Sequence, residues 1–207
     1  MLITKVKNRE KILNELDDKD VFIFKCFGCK EVWYPEEEID ILLYESNCMD
    51  RVARVDYLCR EEFVGKYLDR YSEKVKEVKR ILVFSCGVGV QMVAKVASHI
   101  PVIPGCDTYY INGFQGLTAQ DVDCQQCGQC WLNHTCSICP ITSCAKSLLN
   151  GPCGGARDGK CEVDKNMDCG WVLIYKRLEL LGEKENLRKT SVNVRNYKII
   201  IDSLNKG

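Results

Sequence analysis

The sequence predicts an α/β protein: a small parallel-sheet domain with cysteines at its strand ends, then a cysteine-rich, loop-rich domain and a C-terminal helix. Three observations predict it. Apolar, β-prone runs alternate with helical periods through the first half of the 207 residues; nine of the 15 cysteines crowd between Cys124 and Cys169; and composition shifts sharply near residue 112. The expected divisions are residues 1–112 for the sheet domain, 113–182 for the cysteine-rich domain with its closing helix, and 183–207 for a C-terminal tail.

The first strand is the apolar run Val21-Phe22-Ile23-Phe24, the second the alternating stretch Val52 to Tyr57, the third Ile81-Leu82-Val83-Phe84 and the fourth Pro101-Val102-Ile103. Helical periods separate them. Glu36 to Tyr44 follows Pro35; Val64, Tyr67, Leu68, Tyr71, Val75 and Val78 share one face of a helix from about Glu61 to Lys79; Gly89 to Ser98 supplies a third helix. Strands alternating with helices call for parallel pairing through right-handed crossovers.

On that scaffold Cys26 and Cys29 follow the first strand, Cys59 the second and Cys86 the third. Open parallel sheets bind ligands just beyond the carboxyl ends of their strands, so these four, distant in sequence, are placed to converge on one cofactor. The turn Cys86-Gly87-Val88-Gly89 adds backbone N–H groups at a helix start, which favours an anionic group. Cys106 follows the fourth strand and is a spare; Cys48 fits no strand end and reads as a packing thiol.

The second half begins Cys124-x2-Cys127-x2-Cys130 and continues through Cys136, Cys139-Pro140, Cys144, Cys153, Cys161 and Cys169. Thiolates are soft ligands suited to iron-sulfur clusters and zinc, and two-residue spacing lets neighbouring cysteines reach one metal centre. Glycines flank Cys153 and Cys161, permitting the close backbone approach that cluster sulfurs need. With Cys136 set aside, Cys124, Cys127, Cys130, Cys139, Cys144, Cys153, Cys161 and Cys169 make eight ligands for two four-ligand metal sites. Spacing leaves their partition open. His134 and His99 read as a loop residue and a helix-end residue.

Disulfides are disfavoured, because 15 is odd and the N-terminal stretch has no apolar signal segment, so a cytoplasmic location with reduced thiols is expected. No apolar run approaches the roughly 20 residues of a membrane span. Lys+Arg and Asp+Glu both number 29, without a basic cluster, so neither nucleic acid nor membrane is an expected partner. No paired carboxylates or dinucleotide fingerprint mark a catalytic site of the chain's own, and no catalytic residue is assigned.

The run from Cys139-Pro140 through Gly151-Pro152-Cys153-Gly154-Gly155, Gly159-Lys160-Cys161 and Cys169-Gly170-Trp171 resembles the C-terminal domain found with methylenetetrahydrofolate reductases. Upstream, Cys26-x2-Cys29, Cys59-Arg60-Glu61-Glu62-Phe63-Val64 and Cys86-Gly87-Val88-Gly89-Val90-Gln91 are similar to the small accessory subunit of the acetogen-type reductase. The resemblance implies an electron-transfer subunit of an oxidoreductase in the one-carbon metabolism of anaerobes. It would carry two or three 4Fe-4S clusters, with zinc in one site as an alternative, beside a separate flavin-containing catalytic subunit and further electron-transfer subunits. Two other functions fit the same cysteines: a structural zinc-binding assembly subunit and an iron-sulfur redox sensor. Trp171, Ile174, Tyr175, Leu178 and Leu181 follow a helical period capped by Gly182, and the tail contains the apolar run Tyr197-Lys198-Ile199-Ile200-Ile201, whose docking site the sequence leaves undecided.

Overall fold

The computed structural model describes residues 2–27, 29–30, 32–109, 117–119, 122–189 and 192–199. In chain order these form β1 (Leu2–Val6), α1 (Arg9–Asp17), β2 (Val21–Cys26), β3 (Val32–Trp33), α2 (Glu36–Glu45), β4 (Val52–Val55), α3 (Glu61–Arg70), α4 (Ser72–Lys76), β5 (Arg80–Phe84), α5 (Gly87–Val96), β6 (Val102–Pro104), β7 (Cys106–Tyr109), β8 (Leu117–Ala119), β9 (Val122–Cys124), α6 (Gly170–Leu180) and α7 (Asn186–Lys189).

The main sheet has four parallel strands in the order β4-β2-β5-β6. Its central strands are continuous apolar runs because both faces are covered. Phe22, Phe24, Ile81 and Val83 pack against Val64 of α3, Val75 of α4 and Val90 and Val93 of α5. On the opposite face Val21, Ile23, Leu82 and Phe84 pack against Ile12 and Leu16 of α1 and Ile39, Leu42 and Leu43 of α2. The chain thus leaves β2 across one face and β5 across the other, which opens a crevice between the carboxyl ends of these two neighbours. That crevice receives Cys26 and Cys86.

Lys25 is the one charged residue in the buried run of β2, with its side chain only 4% exposed, and it pairs with Glu36 at 3.1 Å and with Asp40, both on α2. Gly105, between β6 and β7, stands so close to the Phe84 ring that a Cβ there would meet Phe84 Cδ1 at 2.6 Å. Only glycine lets the chain turn there into a second sheet.

That second sheet, β3-β1-β7, is not foreshadowed by the sequence pattern. β1 runs parallel to β3 and antiparallel to β7, with Val6 opposite Cys106. Cys106 is therefore a strand residue buried in the core. The helix expected from Glu61 to Lys79 is two helices, because Tyr71 leaves helical geometry (φ −105, ψ 19), closing α3 and opening α4. Helix α6 buries Trp171, Ile174 and Leu178 as expected; Tyr175 is half exposed, and Gly182 takes the left-handed φ of +69 just past its end. The boundary expected at residue 112 and the tail's Ile200 and Ile201 lie outside the described residues. Among the described residues no helix is long and apolar enough to cross a membrane.

Candidate metal centres

All 15 cysteines are free thiols. Cys26, Cys29, Cys59 and Cys86 line one hollow at the carboxyl ends of β2 and β5. Cys26 ends β2, and Cys86 is the N-cap of α5. The turn after β4 carries Cys59, entered through Tyr57 at the left-handed φ of 44, a conformation costly for an aromatic residue.

Burial disfavours thiolate here, pushing Cys26 up to about 12 and raising Cys59 and Cys86, and each feels the negative charge of others in the set. The backbone pulls the other way. The backbone at Leu58 favours the thiolate of Cys26, and the backbone at Val88 and Gly89, at the start of α5, favours that of Cys86. Thiolates at these positions would need a compensating cation.

A second hollow is lined by Cys124, Cys127, Cys130 and Cys139. Around the Cys-x2-Cys-x2-Cys turn the backbone of Gln126, Gln129 and Leu132 favours the thiolate at Cys124, Cys127 and Cys130, and the Cys127 thiol donates to the Gln129 carbonyl at 3.2 Å. Left-handed backbone at Gln126 (φ 51) and Gly128 (φ 69) curls the turn around the hollow. Burial raises Cys124 and Cys127 and takes Cys130 to about 12, with the Cys139 charge adding to all three. Lys7 opposes this at Cys130: its Nζ donates to Asp107 Oδ1 at 2.7 Å and to the Cys130 carbonyl at 3.1 Å, while the Cys130 N–H donates to the same Asp107 oxygen at 2.8 Å. Trp131 lines this hollow, and its indole Nε1 is buried without a hydrogen-bond partner.

The two hollows abut. The charge of Cys86 acts on Cys124, and Gly87 separates them.

The remaining candidates, Cys144, Cys153, Cys161 and Cys169, follow on the next loops. Cys169 is the N-cap of α6 and shares a small core with Cys136, Cys144 and Trp171. Cys153 and Cys161 both act on Lys146, and Cys153 hydrogen-bonds Glu162. The Cys161 N–H donates to Met167 O at 2.9 Å and the Cys169 N–H to Gly159 O at 2.8 Å, tying both loops together. Among the described residues no three or more His, Cys, Asp or Glu side chains are drawn close enough to hold a single metal ion.

Cys48 and Cys136 lie apart from both hollows and serve packing. Cys48 donates to Leu43 O at 3.4 Å within the core, and Cys136 is buried at a φ of 48 that suits glycine. Desolvation, followed by Lys7 and Lys11, lowers His134, which sits beside the Trp131 ring at 6.3 Å. Sequence reasoning missed Trp131, although it directly follows Cys130, and it missed the Lys7–Asp107 pair, whose partners stand 100 residues apart.

Residues 103–198 match the family model described as methylene-tetrahydrofolate reductase C terminal. The matched segment, a little under half of the chain, holds the cysteines of the second hollow and the loops to Cys169, and it excludes Cys26, Cys29, Cys59 and Cys86. No curated protein and no solved structure matches the chain.

Proposed function

We propose that the chain is a cytoplasmic, accessory electron-transfer subunit that carries iron-sulfur clusters for a flavin-dependent methylenetetrahydrofolate reductase in one-carbon metabolism. The observation that carries this reading is the gathering of eight cysteines into two adjoining four-cysteine hollows, one of them with its cysteines inside the matched segment.

The donor sets fit clusters. A tetrahedral zinc with Zn–S bonds near 2.3 Å would draw four sulfurs to within about 3.8 Å of one another. Among the described residues no three of these side chains stand close enough to share a single ion. The thiolate-favouring backbone around Cys124 and the unpartnered Trp131 Nε1 suit the sulfurs of a cluster. The Cys144, Cys153, Cys161 and Cys169 set would hold a third cluster, or zinc.

When bound, such clusters exchange single electrons. The chain's own part is to hold them: β2 and β5 fix Cys26 and Cys86, the curled turn fixes Cys124, Cys127 and Cys130, and the Lys7–Asp107 pair anchors that turn to β7. Gly87 keeps the two sites adjacent, an arrangement suited to passing an electron between them toward a partner's flavin. Co-expression with the flavin-containing reductase subunit, followed by purification through a tag on this chain, tests the partnership. A flavoprotein that co-purifies and accepts electrons through this chain supports it; a flavoprotein that stays behind and is reduced equally well without the chain contradicts it.

A further inference from the structure

Residues 192–199 lie across the turn that carries Cys124, Cys127 and Cys130. The anchor is a reciprocal pair: the Asn193 N–H donates to Asn150 Oδ1 at 2.7 Å, and Asn150 Nδ2 donates to the Asn193 carbonyl at 2.9 Å. Beyond it, each contact falls on a residue between the cysteines. Arg195 Nη2 donates to Gln125 Oε1 at 3.2 Å, and the Asn196 N–H donates to Gln129 Oε1 at 2.8 Å. Ile199 seats against Gly128, where a Cβ would come within 2.8 Å of Ile199 Cγ2. The spacer residues of Cys-x2-Cys-x2-Cys are thus the docking site of this strap.

Arg195 is the cation that the strap delivers. Its guanidinium lies 4.9 Å from the Tyr197 ring centroid, and its charge acts on the Cys127 thiol. Its Nε is buried with no hydrogen-bond partner among the described residues. Hydrogen-bonded to Gln125, the neighbour of Cys124, the guanidinium is held beside the cysteine turn as an opposite charge to any thiolates there.

We propose that Arg195 is a positioning residue of the Cys124, Cys127, Cys130 and Cys139 site, held by the strap so that its charge offsets the negative charge of the loaded site. This rests on the cluster reading of that site. Net charge and hydrogen bonds to sulfur set cluster potentials, and a neighbouring cation favours the more negative, reduced state.

The test uses the full-length protein purified anaerobically, comparing wild type, Arg195→Gln and Arg195→Lys by iron and sulfide content and by redox titration followed by electron paramagnetic resonance. The expected result is unchanged iron and sulfide in Arg195→Gln, with one cluster shifted to more negative potential, the others unmoved, and part of the shift recovered in Arg195→Lys. Iron present with every potential unmoved in Arg195→Gln overturns the role of Arg195 alone; so does a Lys variant shifted as far as the Gln variant. Wild type lacking iron and sulfide overturns the cluster reading, and this inference falls with it.

Discussion

Gly87 and Cys124 are in contact across the wall between the two cysteine hollows: a Cβ built on Gly87 would stand 2.9 Å from the Cys124 sulfur. Gly87 also opens α5 immediately after Cys86, and its N–H donates to Thr108 Oγ1 at 2.9 Å. One residue without a side chain therefore sets how closely the two sites approach.

Gly87→Ala is expected to displace Cys124. Alanine is ordinarily the better helix residue by about 1 kcal/mol. Overpacking a buried contact costs about 1–3 kcal/mol, so strain should win and the melting temperature should fall. Iron content and thermal unfolding of the variant check this; a variant more stable than wild type, with full iron, would mean that Cys124 has room to move.

Cys139→Ser is expected to lose about four iron per chain with matching sulfide, because Cys139 completes the central four-cysteine set. Cys136→Ser is expected to lose none, since Cys136 packs in the core under α6. Metal analysis of the two variants side by side distinguishes ligand from packing thiol; equal losses would contradict the partition.

These assignments show where sequence reading stops. β2 and β5 were legible because strands buried on both faces read as unbroken apolar runs, and strand-end placement of Cys26 and Cys86 followed from them. β7, reading Cys-Asp-Thr-Tyr, carries no such run, and its partner β1 lies at the other end of the sheet domain, so the second sheet was hidden. Spacing could not assign Cys139 to a site, because eight residues separate it from Cys130. The loop between them closes on itself through His134 N–H to Trp131 O at 3.0 Å and Ser137 N–H to Leu132 O at 2.7 Å, which returns the chain to the hollow. Local turns of this kind have no hydrophobic period to betray them.

Lys7→Met should destabilise the fold. It leaves the Asp107 carboxylate facing the Cys130 loop without its cation, and both partners are about four-fifths covered. Breaking a fully buried pair costs about 3–5 kcal/mol, and residual solvent contact reduces that to roughly 2 kcal/mol here. Chemical denaturation measures it, and Lys7→Met with Asp107→Asn should recover part of the loss.

Trp131→Phe keeps the ring and removes the unpartnered N–H. In metal-free protein the change should be neutral or stabilising by about 1 kcal/mol, because a buried orphan donor is removed. In loaded protein it should move one cluster to more negative potential. Denaturation and redox titration report the two halves separately; a loaded variant with all potentials unchanged would remove Trp131 from the site.

The most direct test of the central claim is iron, zinc and acid-labile sulfide analysis of anaerobically purified protein, read beside its visible spectrum. The expected result is about eight to twelve iron per chain, matching sulfide, and visible absorbance that bleaches on reduction. Zinc alone in a colourless protein would contradict it, and would make the same cysteines a structural scaffold with no part in electron transfer.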